Sequence, residues 1–414
     1  MKSRSAFTAI LFGLSLAAPA VGGEQHLETF DALWRTVKRS FYDRELHGVD
    51  WEAAREIYRP LIEEAEDDSE VRRLELDMLA LLDASHTTIL DGPVYRGMMA
   101  ELLNRRTLTF GLLIEETLPG RLFVRALYEG GPVAEAGLRL GDRIVAIDEV
   151  PVEASPFLVD AGYDPALPGP RLFFLATGSG RELRLTVQTH PDAETRQTVV
   201  VRPVRMNAVD AARNSVSVIE QDGVRIGTLH VWFCSQGVSD VLEEALGGVL
   251  ADCDVLVLDV RGRGGYTQVV RSILDVFQED RSFWQRLRGE PGEPALWDKP
   301  VVMLIDERSR SAKELLAYHV RQNDVATLVG QRTEGAVLGA AFHALPDGSY
   351  LELAAVAVPI GSLSLEGVGV EPHHQVDLVV PYARGHDTIF EKGCQVAVEK
   401  VLKARASKAA ARPF

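Results

Sequence analysis

Lys299 to Val320 reads KPVVMLIDERSRSAKELLAYHV, and the fold is decided there. The run Val301-Val302-Met303-Leu304-Ile305 has the length and type of a buried strand. Asp306 to Arg310 is a polar turn. Leu315, Leu316 and His319 then recur at helical spacing, so a helix begins at or just after Ser311. A strand, a tight turn and a helix in that order lift one side chain from the sheet edge and set it against the positive end of the helix dipole. A hydroxyl held there is exposed, oriented and supplied with backbone N–H groups for a developing oxyanion. The same letters also permit a reading without chemistry, because Ser311-Ala312-Lys313-Glu314 is a capping box with Ser at N-cap and Glu at N3.

Around this stretch, strand and helix patterns alternate beyond Pro203, the signature of an α/β sheet. Strands are expected at Val224 to Val231, Val255 to Asp259 and Ala326 to Gly330, with helices at Val238 to Leu250 and Gln268 to Phe277. A hairpin-rich region runs to about Pro359, and an amphipathic helix from Thr388 to about Ala406. Upstream, residues 24–104 read as helical. Leu27, Phe30, Leu33, Trp34, Val37 and Phe41 share one face, Asp50 can cap a second helix from Trp51, and Val71, Leu74, Met78, Leu81 and Leu82 stripe a third. That third helix runs into a polar break that places His86 at a helix-to-loop transition.

Between Thr107 and Val204 the periodicity is that of strands, at Phe110 to Ile114, Leu122 to Val124, Arg143 to Ile147, Glu182 to Gln188 and Gln197 to Arg202. The stretch GGPVAEAGLRLGDRIVAIDEVPV from Gly130 resembles a PDZ domain along its length. That resemblance implies capture of a partner's C-terminal strand, with Phe110, Gly111, Leu112 and Leu113 as the carboxylate-binding loop and Arg105 and Arg106 as charge partners. A domain that keeps this shape and only packs against its neighbour is the other reading.

The 414 residues carry a formal charge of −16. Lys2 and Arg4, the apolar run Ala6 to Ala17 and Ala18-Pro19-Ala20 make residues 1–23 a secretory signal peptide, so the expected destination is periplasmic or secreted. No later stretch is long enough to span a membrane. The acidic balance argues against a nucleic-acid partner. Cys234, Cys253 and Cys394 are too few for a disulfide framework; Cys234 and Cys253 read as buried thiols, with one disulfide left open. No cofactor is implied. Nor is a metal, since the adjacent His373 and His374 would face opposite ways on a strand.

Three further pieces bear on Ser311: the glycine turn Asp259-Val260-Arg261-Gly262-Arg263-Gly264-Gly265, the pair Ser85-His86, and Glu366 on a glycine-rich turn. Together with Ser309-Arg310-Ser311-Ala312-Lys313-Glu314 they resemble the peptidase family of the C-terminal-processing (tail-specific) and tricorn-core proteases. Gly48-Val49-Asp50-Trp51 and Tyr58-Arg59-Pro60-Leu61 look like the tricorn-type branch. The tail-specific branch takes its base from a lysine in Thr-x-Gly-Lys, and here that position is Ala336. The resemblance therefore implies Ser311 as nucleophile, His86 as base, Glu366 and Ser85 as support, and Gly264 and Ala312 as oxyanion-hole donors.

The implied fold class is multidomain α/β: a helical region (24–104), a PDZ-like β domain (105–205) and a crotonase-like α/β catalytic core (206–414). The implied partners are polypeptides with exposed C-termini or unfolded segments, and a homo-oligomer stays open. Lys313, whose charge opposes the helix dipole and which is expected to point away from Ser311, and Arg263, in place of the usual Asn, keep a second reading alive. That reading is a binding protein with a decayed site, in which Ser311 only caps its helix. An esterase on the same core is a third.

Overall fold

The computed structural model describes residues 21–161, 170–192, 196–277, 296–358 and 365–410. The expected signal peptide lies outside the described residues over 1–20. The front end forms helices α1 (Val21–Ser40), α2 (Trp51–Glu64) and α3 (Asp68–Ala80). Asp50 accepts from the Ala53 N–H and Asp67 from the Glu70 N–H, each pairing a donor that a helix start leaves unsatisfied.

The apolar stripes meet as the spacing requires: Phe30, Leu33 and Val37 pack with Trp51, Val71, Leu74 and Met78. Each such burial contributes about 1.5–3 kcal/mol. Leu338, Leu345, Leu351 and Leu353, from far along the chain, complete this cluster. The span 24–104, read as helical with a polar break at 83–88, is corrected at Thr88–Leu90, which is strand β1, paired antiparallel with residues 350–352. Three buried residues are too short a run for periodicity to mark. Helix α4 (Gly92–Leu102) follows.

Next come β2 (Thr107–Thr109), β3 (Leu112–Leu118), β4 (Arg121–Leu127), the short α5 (Pro132–Glu135), β5 (Arg143–Ile147) and β6 (Val150–Pro151). After them come β7 (Leu158–Asp160), β8 (Leu172–Leu175), β9 (Leu183–Gln188) and β10 (Arg196–Val201). The sheet order is β10-β9-β5-β4-β3-β8-β7. Ile114, Val124, Val133, Ile144 and Leu185 fill its core. Strands β7 and β8 were not expected from the sequence. β8 pairs with β3 at Ile114↔Phe173 and Glu115↔Leu172, so the chain itself covers part of the β3 edge. β2 pairs with β11 (Val204–Met206), tying together the points where the chain enters and leaves this unit.

The last unit runs α6 (Ala208–Asn214), β12 (Ser217–Gln221), β13 (Val224–His230), α7 (Val238–Gly247), β14 (Val255–Asp259), α8 (Thr267–Phe277) and β15 (Val301–Ile305). It continues with α9 (Ala312–Gln322), β16 (Thr327–Gly330), β17 (Gly339–Ala344), β18 (Tyr350–Val356), β19 (His374–Gln375) and α10 (Thr388–Ala410). The sheet order is β12-β13-β14-β15-β16-β19, parallel from β13 onward. Both faces are covered, by α7, α8 and α9 on one side and α10 on the other, which is why β14 and β15 are buried throughout and apolar except for Asp259 at the end of β14. Parallel strands bring the C-terminal ends of β13, β14 and β15 to one edge, where open α/β sheets bind ligands.

Candidate active site

Ser311 sits at the crossover from β15 to α9 with φ 54° and ψ −122°, and its side chain makes no capping hydrogen bond. A non-glycine residue in that region costs on the order of 1–3 kcal/mol, so the surroundings must hold it. The Ser311 N–H donates to the Ala336 carbonyl at 2.8 Å. Glu314, which a capping box would turn back toward Ser311, is buried and faces elsewhere. It accepts from the Thr333 hydroxyl (2.6 Å) and from the Gly335 and Ala336 N–H groups (both 2.7 Å). The capping reading of Ser311 is therefore wrong.

Burial pushes the Glu314 carboxyl up to about 7, against the pull of those three donors. Its folded value is raised, so its contribution to stability is full below about 4.5 and is lost as pH rises through about 7. Removing the side chain leaves three buried donors unpaired, at about 1–3 kcal/mol each. Glu314→Ala is thus expected to destabilise by about 3 kcal/mol or more, read as a lowered denaturant midpoint.

The glycine turn between β14 and α8 lies against this crossover. Arg261 is paired with Asp259 and Asp387, and the Gly262 N–H donates to Asp306 Oδ1 at 2.9 Å. The Cys234 N–H donates to the Gly264 carbonyl at 2.9 Å. A Cβ at Gly264 would come within 2.6 Å of the Arg310 carbonyl, 2.8 Å of Ser311 Cβ and 3.0 Å of the Ala312 nitrogen. The turn and the helix start thus approach to a distance only glycine allows. The Gly264 and Ala312 N–H groups donate to no acceptor among the described residues.

His86 is buried, has φ 55°, and its Nδ1 lies 2.9 Å from the Ser85 hydroxyl. The Ser85 N–H donates to Glu366 Oε1 and the Val337 N–H to Glu366 Oε2, both at 2.9 Å. Glu366 therefore grips the backbone beside His86 and ties it to the segment that follows Ala336. Burial, aided by Arg310 and Arg263, holds the imidazole well below its ordinary 6.5. His86, Ser311, Arg263 and Gly264 all line one cavity of 1560 Å3. Two residues more than two hundred positions apart in the chain share its wall.

The same cavity reaches Gly111, Leu112 and Leu113. Phe110 does not line it; it is 1% exposed in the core of the β unit. Arg106 is paired with Asp210 at 2.5 and 2.7 Å, so its charge already has a partner.

Arg125 escaped the sequence reading. Arg125 of β4, buried, donates to Glu115 (3.0 Å), Asp306 (2.9 Å) and Glu307 (2.9 Å), pinning the β unit to the turn before Ser311. Burial would raise the Asp306 carboxyl, but Arg125 and the Gly262 N–H outweigh it and hold it below the usual range. An arginine inside the otherwise apolar run Leu122-Phe123-Val124-Arg125-Ala126-Leu127 was the available signal. Lys313 does not stand at the helix surface; it is buried, with Nζ bonded to main-chain carbonyls. Arg263 donates to the Ala161 carbonyl of the β unit at 2.9 Å. The three cysteines are free and buried. No group of three or more His, Cys, Asp or Glu able to hold a metal occurs among the described residues, and none of the described helices is long and apolar enough to cross a membrane.

Residues 225–376 match the model of peptidase family S41, and residues 23–80 match that of the Tricorn protease C1 domain. Two tricorn protease homologues of Streptomyces coelicolor are each 26% identical over 90% of this chain, which spans 32% and 35% of their length, about a third. The chloroplastic C-terminal processing peptidase of Tetradesmus obliquus is 28% identical over 88% of this chain and 79% of its own. Among solved structures, the photosystem II D1 C-terminal processing protease has a TM-score of 0.52 at 20% identity, covering 87% of this chain and 98% of that one. The tricorn protease has a TM-score of 0.53 at 17% identity, covering 92% of this chain and 37% of that one. The sequence matches are those of a serine-type peptidase, a hydrolase. The chain carries the peptidase family S41 domain, with a tricorn-type C1 segment at its front.

Proposed function

We propose that this chain is an exported endopeptidase that hydrolyses peptide bonds with Ser311 as nucleophile and His86 as general base. The observation that carries this is the uncapped, strained Ser311 beside the Gly264 and Ala312 N–H groups, in a cavity that His86 also lines. A serine hydroxyl is a poor nucleophile at neutral pH and needs a base. In the tautomer whose Nδ1–H donates to the Ser85 hydroxyl, Nε2 of neutral His86 carries no proton and takes the one from Ser311 Oγ. Oγ attacks the scissile carbonyl carbon, and the oxygen that becomes negative is received by the two N–H groups. The imidazolium returns its proton to the leaving amine. Water, activated the same way, then releases the acyl group. Glu366 and Ser85 act by holding the His86 backbone and ring.

The base must be neutral, so activity is lost as pH falls through the depressed His86 value. The acid limb of kcat/KM is expected well below the ordinary histidine value of 6.5; a limb centred at 7 or above in a pH–rate profile contradicts the assignment.

In this reading, 24–104 is the helical region that supplies His86, 105–205 a PDZ-like domain, and 206–414 a crotonase-like core. Because β8 pairs with β3 at Ile114 and Glu115, the part of β3 that lines the cavity for an incoming strand is Leu112 and Leu113, beside Gly111. That favours short contact with a chain end, or gating of the cavity, over a long added strand. The test is turnover of casein, and of one peptide with a free or an amidated C-terminus, by wild type, Ser311→Ala and His86→Ala. Loss in both variants is expected, with a preference for the free terminus. Equal turnover by all three removes the catalytic reading, and cleavage of activated esters alone replaces it with an esterase.

A further inference from the structure

One charged side chain beside the site has no part in these steps. Lys313, the second residue of α9, is 0% exposed, and its Nζ donates to the Arg261 carbonyl at 2.7 Å and the Trp232 carbonyl at 3.0 Å. Lysine is almost never fully buried without a partner, and burying an ammonium is costly. The groups whose charge it feels are the Cys234 thiol in the loop after β13, Asp259 at the end of β14, Asp306 after β15, and Arg261 in the glycine turn.

Its two acceptors belong to the two loops that fix Gly264. The loop after β13 and the glycine turn are stitched by the Cys234 N–H to the Gly264 carbonyl and by the Tyr266 N–H to the Cys234 carbonyl, both 2.9 Å. On the opposite flank, Asp306 holds the Gly262 N–H. Lys313 thus joins the helix that starts at Ser311 to both loops at once.

We propose that Lys313 is a positioning residue for this site, bracing the glycine turn so that the Gly264 N–H stays aimed beside Ser311. It touches no substrate, and the proposal rests on the assignment of Ser311 and Gly264. The ammonium supplies charge-assisted bonds to both carbonyls, and burial pushes its pKa down to about 8. As pH rises through that value a proton leaves, the brace weakens and the rate falls. Stability runs the other way. Between about 8 in the fold and about 10.4 unfolded, the unfolded chain binds more protons, so this group makes stability rise with pH. An alkaline loss of rate without a loss of stability separates the brace from simple unfolding.

The experiment measures kcat, KM and Tm from about pH 6 to about pH 10 for wild type, Lys313→Met and Lys313→Arg, with Ser311→Ala as the baseline. Wild type is expected to lose kcat above about pH 8 while KM and Tm hold. Lys313→Met should lower kcat about ten- to hundredfold at pH 7, leave KM within about twofold, and lack the alkaline limb. Lys313→Arg keeps a charge that does not titrate in this range, so it should retain more activity than Lys313→Met and also lack the limb. Wild-type kcat in Lys313→Met overturns the proposal, as does a limb that persists in either variant. If neither variant folds, a wild-type profile flat through pH 8 overturns it. An active Ser311→Ala sinks the underlying assignment instead, whatever Lys313 does.

Discussion

Ser311→Ala is expected to lower kcat on an unfolded polypeptide by about 10⁴- to 10⁶-fold, with KM little changed. The expectation follows from where the hydroxyl sits. It caps nothing, so removing it cannot unravel α9, and the Ser311 N–H bond to Ala336 stays in place. The alanine Cβ occupies the same strained backbone, so Tm should move by no more than a few degrees. Activity and stability therefore separate cleanly in this variant. His86→Ala should cost a similar factor, and the double variant scarcely more, because a nucleophile without its base and a base without its nucleophile fail at the same step. Steady-state kinetics with thermal unfolding checks all three. A substantial loss of Tm in Ser311→Ala would mean that the hydroxyl serves the fold.

Gly264→Ala is the second large effect. Gly264 does not have a left-handed φ, so the objection to a side chain is contact alone. The added methyl would press within 2.6 Å of the Arg310 carbonyl, 2.8 Å of Ser311 Cβ and 3.0 Å of the Ala312 nitrogen. The first and last are main-chain atoms that have no rotamer to change, so the turn must back away from the crossover. Overpacking of this kind costs about 1–3 kcal/mol. Losing one oxyanion donor costs about 10²- to 10³-fold in kcat. Gly262→Ala is the control. Gly262 has φ 81° with nothing within 4 Å of an added Cβ, so that variant should lose stability through backbone strain and keep the approach of turn to crossover. Near wild-type kcat in Gly264→Ala would show that the turn does not serve the reaction.

The parallel core was readable because its strands are short, apolar and separated by amphipathic helices. Val255–Asp259 and Val301–Ile305 fall where the letters put them. Thr88–Leu90 was not, because its three residues become a strand only through β18, whose Tyr350–Glu352 lie far away in sequence. β8 was missed for a related reason: Leu172–Leu175 is a short apolar run whose partner, β3, already had β4 on its other side. At the site, residue types were legible and partners were not. Ser311-x-x-Glu314 looked like a cap, and only the position of Thr333, Gly335 and Ala336 shows where that carboxylate goes. Lys313 was expected to point away from Ser311, and helix spacing says nothing about the buried carbonyls within reach of Nζ. Arg125 serves a neighbouring unit, a relation no local pattern encodes.

The most direct test is to find which residue a serine-directed fluorophosphonate modifies, by peptide mass spectrometry of the full chain. Our account predicts one adduct, on Ser311, formed in wild type and greatly slowed in His86→Ala. An adduct on another residue, or labelling of Ser311 at the same rate without His86, would contradict it.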